Sequence, residues 1–262
     1  MPLDIFVPFW GDPGMLRETV ASVLAQRNSD WKLTVIDDDY PDDSVPAFFA
    51  EFDDPRVTYV RNESNQGITE YFRRCVARAT EDVVVIVGCD DQLLPNYVDV
   101  ILNAHRAFPD AAIIQPGVRV IDEHGRVILT LADTVKQRLA MPHTTGRRIL
   151  SGEKLAVSLL RADWLYWPSL AFRRDILQST PFRDGLPVIQ DLALVVDVVW
   201  QVDSCCSIPL CASPMVDTMA ARRSQRHSTG AGSGASVTTS IRRPHKCVPS
   251  AGPAPSAQRV GT

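Results

Sequence analysis

The side chains best suited to chemistry in this chain are carboxylates set at the ends of apolar runs. Val83-Val84-Val85-Ile86-Val87 stops at Gly88-Cys89-Asp90-Asp91, and Leu93-Leu94-Pro95 follows. Two adjacent acids on a turn after a buried strand present hard oxygen ligands. Mg²⁺ and Mn²⁺ take one or two such carboxylates and complete their shells with water and phosphate. A solvated turn would use the same residues, and Asp-Asp alone does not choose between the two. The run at residues 32–36 also ends in acids, Asp37-Asp38-Asp39, so Asp37 and Asp38 are expected to face the same crevice as Asp90 and Asp91. Carboxylates gathered there repel one another unless a cation or hydrogen-bond donors compensate. Asp39, Asp42 and Asp43 read as a solvated turn. Trp10, just past Pro8, would border the crevice, either as a face on which a base stacks or as a rim aromatic packed on its neighbours. One more acid, Asp191, opens an apolar helix, a place that favours a carboxylate without any catalysis.

The elements that would position these residues alternate. Residues 3–8 read as a first buried strand, and Asp12-Pro13 as a helix start, with Pro where its missing N–H costs nothing. Met15, Leu16, Val20, Val23 and Leu24 keep helical spacing. Strands are expected at 32–36, 57–61 and 82–88, and helices at 45–52 and from the loop 62–67 through 79. The Val/Ile run of the last strand marks a centre buried on both faces. This rhythm predicts a Rossmann-like α/β fold, a mostly parallel central sheet with helices on both faces. Ligands of such sheets bind beyond the carboxyl ends of the strands, where both acidic clusters fall. Further along, 111–118 and 126–131 read as a hairpin around the turn 122–125. A helix is expected near 155–160, an aromatic-rich segment at 164–172, and a helix at 192–200 with Asp191 at its start. That divides the chain into a half at 1–110, a smaller mixed half at 111–200, and residues 201–262.

The whole chain has 262 residues, 27 basic and 31 acidic side chains, and a net charge of −4. Such a balance lacks the basic surplus of a nucleic-acid binder. No apolar run approaches the roughly 18–20 residues of a membrane span, and the first residues lack the features of a signal peptide. The expectation is therefore a cytoplasmic protein without a transmembrane segment. The composition breaks at about residue 200. Residues 201–262 hold seven basic and two acidic side chains, four of the six cysteines and no aromatic residue. Ser, Gly, Pro and Arg dominate there, so the stretch reads as a disordered basic tail. A shift of reading frame near 200–202 would account for the break. No CxxC spacing suggests zinc.

Taken in order, these stretches resemble the family-2 glycosyltransferases of the GT-A fold. The matching runs are Ile5-Phe6-Val7-Pro8-Phe9-Trp10, Ser22-Val23-Leu24-Ala25-Gln26, Val35-Ile36-Asp37-Asp38 and Arg61-Asn62-Glu63-Ser64-Asn65-Gln66-Gly67. Gly88-Cys89-Asp90-Asp91 with Pro95, Phe172-Arg173-Arg174 and Gln190-Asp191 complete them. The resemblance implies transfer of a sugar, with inversion, from a UDP-, GDP- or dTDP-linked donor to a glycan or glycolipid hydroxyl. It makes 1–110 the nucleotide-sugar half and 111–200 the acceptor half. It assigns Pro8, Trp10, Asp38, Asn65 and Asp90 to the nucleotide, Asp90 and Asp91 to a divalent cation (Mn²⁺ or Mg²⁺), and Asp191 to the general base. A role in cell-wall or surface glycan synthesis and peripheral association with the inner face of the membrane would go with it. Gly88 stands where many relatives carry an acid, and Gln190 where Glu is common. The Tyr/Arg/His segment that often closes over the donor phosphates has only Arg222-Arg223-Ser224-Gln225-Arg226-His227 to represent it. Two alternatives follow: a non-catalytic remnant that binds nucleotide sugar, or a receiver-like signalling domain, which would need Lys154 at a strand end.

Overall fold

Leu3–Phe9 form strand β1, and all seven residues are buried. Apart from Asp4, whose carboxylate accepts from the N–H groups of Thr80 and Glu81, the strand is apolar on both faces because it is central. Strand β2 (Trp31–Asp37) lies parallel to it on one side and β4 (Val83–Ile86) parallel on the other. Strand β3 (Val57–Arg61) pairs parallel outside β2. Beyond β4 come β8 (Ala171–Arg173), antiparallel to it, and β6 (Ile113–Ile114), giving the order β3-β2-β1-β4-β8-β6. This computed structural model describes residues 1–122, 125–128, 149–186, 189–201 and 217–222.

Helices cover both faces of the sheet. On one side α1 (Pro13–Leu24), α2 (Ser44–Ala50) and α4 (Tyr97–Ala107) bury Leu16, Val20, Val23, Phe49 and Ile101 against Ile5, Val7, Leu33 and Val35. On the other, α3 (Ile68–Arg78), α5 (Gly152–Ala162), α6 (Arg174–Ser179) and α7 (Gln190–Gln201) pack Cys75, Leu159, Leu177 and Val198 on Phe6, Ile36, Val84 and Ile86. Neighbouring residues of one strand thus feed opposite cores, as the period of two requires. Fully burying each such side chain contributes about 1.5–3 kcal/mol. The expected start of α1 is present: the Asp12 carboxylate accepts from the N–H of Gly14 at 2.6 Å and of Met15 at 3.1 Å.

The strand expected at 111–118 is divided in two. Pro116 has no N–H to give a ladder, and the chain leaves the main sheet there. The Gln115 amide donates to the Pro116 carbonyl (2.7 Å) and to the Ser169 hydroxyl (2.8 Å). Residues Gly117–Ile121 then form β7 in a second sheet, and Ile121 bridges Val127 around the anticipated turn. That sheet has the order β5-β9-β7, with β5 at Gln92–Leu93 and β9 at Asp217–Arg222. Strand β9 lies inside the stretch read as a disordered tail. Extended backbone there satisfies the open hydrogen-bonding edges of both β5 and β7, a gain that composition does not register. The expected strand residues 129–131, the segment 187–188, His143, the four late cysteines, the reading-frame junction at 202 and the rest of the tail lie outside the described residues.

The halves 1–110 and 111–200 share one sheet, since β6 and β8 extend the edge begun by β4. After β1 the chain builds outward through β2 and β3, then crosses back to β4 on β1's other side. The carboxyl ends of β1 and β4 therefore flank the point where strand order reverses, the usual place for a ligand in an open α/β sheet.

Candidate functional site

The turn after β4 is fastened from behind by α1. The buried Thr19 hydroxyl lies 3.0 Å from the Cys89 carbonyl and 2.7 Å from that of Asp91. The Ser22 hydroxyl accepts from the Leu93 N–H at 3.0 Å. The Gln26 side chain donates to the Leu94 carbonyl (2.8 Å) and accepts from the Val98 N–H (3.1 Å). The run Ser22-Val23-Leu24-Ala25-Gln26 thus holds in place the segment that carries the acids.

Within that turn the two carboxylates converge on Gly88. A Cβ at position 88 would lie 2.5 Å from Asp91 Oδ2 and 3.0 Å from Asp90 Oδ1, so glycine leaves the space that both acids lean into. Asp91 is buried and Asp90 half-buried. Two oxygens from adjacent acids suit a divalent cation that takes its other ligands from phosphate and water. Among the described residues no group of three or more His, Cys, Asp or Glu side chains gathers to enclose an ion. Position 11 lies beside the same turn, where Cys89 Sγ is the nearest atom to a side chain placed there, at 3.4 Å. This brings the end of β1 against the end of β4. Burial, reinforced by the Asp90 and Asp91 carboxylates, pushes the Cys89 thiol up to about 12, although the Trp10 backbone N–H pulls the other way.

Of the other expected residues, Pro8 is buried within β1, opposite Ile36 of β2. Trp10 is 46% exposed and meets Tyr40 edge-on at 5.4 Å. Asn65 stands exposed in the loop before α3. Asp37 and Asp38 do not share surroundings, because successive strand residues point to opposite faces. Asp37 accepts from the Tyr40 N–H (2.8 Å) and the Tyr59 hydroxyl. Asp38, fully buried, accepts from Asn62 Nδ2 (2.7 Å) and from the N–H groups of Gln66 and Gly67 (both 3.0 Å). Arg74 Nη1 in turn donates to Asn62 Oδ1 at 2.7 Å. The expected compensation of crowded acids is thus met by donors at this end of the site.

Asp191 lies in the first turn of α7, half-buried. It borders a narrow cleft with Asp163, Leu165, Trp167, Leu170, Leu192 and Val195. Its neighbour Gln190 is buried and accepts from the Thr69 hydroxyl at 2.8 Å, which ties α7 to the first turn of α3. Trp164 belongs to the core, whereas Trp167 faces the Asp191 cleft. Arg73 of α3 donates to the Phe182 carbonyl and to Asp184. Tyr71 of α3 escaped the sequence reading. Burial raises its phenol most, and the electrostatic influence of Cys89, Cys75, Asp38 and Asp90 raises it further. Its position one helical turn after Gly67 was the available signal.

A sequence profile described as Glycosyl transferase family 2 matches residues 4–159, more than half of the chain. The chain belongs to this family. The matched span includes Pro8, Trp10, Asp38, Asn65, Asp90 and Asp91 and ends before Asp191. WcaA of Escherichia coli strain K12, named for colanic acid biosynthesis glycosyl transfer, is 27% identical over 105 residues, 40% of this chain and 37% of that one. MT1568 of Mycobacterium tuberculosis is 25% identical over 201 residues, 72% of this chain and 59% of that one. Among solved structures, S. aureus TarS 1–349 in complex with UDP-GlcNAc has a TM-score of 0.65 at 12% identity, covering 86% of this chain and 59% of the other. At that identity the likeness shows the fold alone, and the fold is the GT-A arrangement expected. The chain spans less than two thirds of the length of each of these relatives. Membership of family 2 disposes of the receiver alternative, and Lys154 lies within helix α5 rather than at a strand end.

Proposed function

We propose that this family-2 chain transfers a sugar from a nucleoside-diphosphate donor to a hydroxyl acceptor, with inversion at the anomeric carbon. The observation that carries the reading is the convergence of the Asp90 and Asp91 carboxylates over Gly88, at the point where strand order reverses. The binding of UDP-GlcNAc by TarS supports a nucleotide-sugar donor. Asp90 and Asp91 would hold a divalent cation, Mn²⁺ or Mg²⁺, which when bound offsets negative charge on the departing diphosphate. Trp10 offers the nucleotide base an exposed aromatic face, and Pro8 lies buried two residues before it in β1. Asp38 shapes the pocket by holding the backbone of Gln66 and Gly67, and leaves Asn65 at the loop surface to meet the nucleotide.

Asp191 is the proposed base. A carboxylate at the mouth of a cleft can take the acceptor hydroxyl's proton as the new bond to the anomeric carbon forms. Trp167 and the leucines beside it would offer a glycan or glycolipid acceptor an apolar wall at the edge of this narrow cleft. A cytoplasmic site at the inner face of a membrane, and a part in cell-wall or surface glycan synthesis, agree with such an acceptor. No described helix is long and apolar enough to cross a membrane.

The test is calorimetric titration of UDP, GDP and dTDP with and without Mn²⁺, repeated on Asp90→Ala, followed by turnover of the matching nucleotide sugar. Metal-dependent binding of one nucleotide, lost in Asp90→Ala, is the expected result. Asp191→Asn is expected to keep that affinity while turnover falls by about 10²–10⁴. Full turnover in Asp191→Asn would remove the base assignment. Nucleotide binding without any turnover by the wild-type chain would favour the binding remnant instead.

A further inference from the structure

The amino end of β4, opposite the acidic turn, opens on a second cavity of about 320 Å³. Its walls are Asp82, His105, Pro109, Arg173, Arg174 and Asp175. Three elements bring them together. Asp82 precedes β4, and Arg173 ends β8 in register with Val83. Arg174 opens α6, its N–H donating to the Asp82 carbonyl at 2.9 Å. His105 comes from the last turn of α4.

Two nitrogens here lack what buried nitrogens normally have. His105 is only 8% exposed, and its Nδ1 has no hydrogen-bond partner among the described residues. The buried Arg174 Nε has none either. Unsatisfied buried polar atoms are rare in folded proteins, and each calls for an explanation. The charges around them are unequally committed. Asp175 is engaged by Arg173 Nε at 2.7 Å and by the Ile176 N–H at 2.8 Å, while Arg173 Nη1 donates to the Asp110 carbonyl at 3.1 Å. Asp82, by contrast, is 3.8 Å from Arg174, beyond hydrogen-bonding length, and its side chain is 58% exposed. The Arg174 guanidinium is therefore the least committed cation of the pocket, faced by a carboxylate free to turn into water. Burial lowers the His105 pKa, with Asp82 pulling the other way and the charge of Arg173 adding to the lowering.

We propose that this cavity binds a phosphate group, which replaces Asp82 as the partner of Arg174 and takes its remaining contact from His105. An arginine fork matches phosphate geometry, and bonds between two charged partners are the strong ones. The volume equals roughly ten waters at about 30 Å³ each, room for a phosphate monoester as well as the free ion. The site is separate from the proposed donor site, since Asp82 and Asp90 lie beyond opposite ends of β4.

The test is NMR of the histidine side chains in the full chain, titrated with inorganic phosphate and, in parallel, glucose 1-phosphate, with acetate as control. His105→Gln assigns the signal. A saturable shift of the His105 resonances by a phosphate ligand, not by acetate, is expected, and the tighter of the two distinguishes the free ion from a phosphorylated sugar. Arg174→Lys keeps the charge but loses the fork, and should weaken binding about tenfold. Asp82→Asn removes the competing carboxylate and should tighten binding several-fold, a gain that misfolding cannot mimic. Asp90→Ala should leave the titration unchanged. Linear shifts without saturation, equal response to acetate, or an Asp82→Asn variant that binds no tighter would overturn the proposal.

Discussion

At position 88 the side chain of alanine would collide with an acid that has little room to move. Asp91 is 3% exposed, and the Gly88 Cβ would stand 2.5 Å from its carboxylate. Gly88→Ala is therefore expected to push Asp90 and Asp91 apart rather than merely fill space. Calorimetry should show metal-dependent nucleotide affinity falling at least about tenfold, with a stability loss within the 1–3 kcal/mol typical of overpacking. Unchanged affinity would mean that the two acids do not act together. Glycine at this place is thus required by how the next two acids are held. Beside them, Cys89 should be chemically quiet. With its pKa raised to about 12, the thiolate fraction at pH 7.5 falls by about three orders of magnitude relative to an ordinary thiol. Iodoacetamide labelling followed by peptide mass spectrometry should show Cys89 reacting at least a hundredfold more slowly than free cysteine, and speeding up only at strongly alkaline pH. Rapid labelling at pH 7.5 would contradict the burial of this turn.

Among the elements, α3 couples the two acidic regions. Its entry loop is gathered onto Asp38, its first turn carries Thr69 to Gln190, and Arg74 reaches back to Asn62. Thr69→Val keeps the shape but removes the donor to a buried amide. It is expected to cost about 1–2 kcal/mol in chemical denaturation and to lower turnover through a loosened α7, with nucleotide affinity unaltered. A loss of nucleotide affinity equal to the loss of turnover would place Thr69 with the donor instead. The strands that carry Asp38 and Asp90 were legible because continuous apolar runs ending in acids have few other readings. Helix α7 was legible from its spacing, and with it the place of Asp191 in the first turn. What lay beyond reach was which partner each acid keeps. Asp37 and Asp38 are adjacent in sequence, yet Tyr59 holds one and loop backbone the other, and only the pleat and the parallel register with β3 decide that. The second cavity depends on Arg173, Arg174 and Asp175 meeting Asp82 and His105, which are distant from them in sequence.

For the molecule as a whole, the second sheet shows where composition misleads. Residues 217–222 belong to a stretch with no aromatic side chain and a basic surplus, and on those grounds read as unstructured. As β9 they pair antiparallel with β5, which follows the acidic turn directly, and parallel with β7. A strand that satisfies two edges at once gains hydrogen bonds on both sides for one ordering cost, and composition cannot anticipate a partner. Residues Met1–Ser224 accordingly form one compact unit. A chain ending at Ser224 should keep the melting temperature and nucleotide affinity of the full chain. A chain ending at Gln201 should lose several kcal/mol, since its backbone ladder comprises several bonds at about 1 kcal/mol each. Because β5 begins at the residue after Asp91, that shorter chain should also bind nucleotide more weakly, and the deficit should exceed the one produced by lowering stability equally through a remote core substitution such as Leu159→Ala. Differential scanning fluorimetry and calorimetry on the three chains and that variant make the comparison. If the two truncations behaved alike, β9 would be an ornament on the sheet, and the acidic turn would owe its geometry to α1 alone.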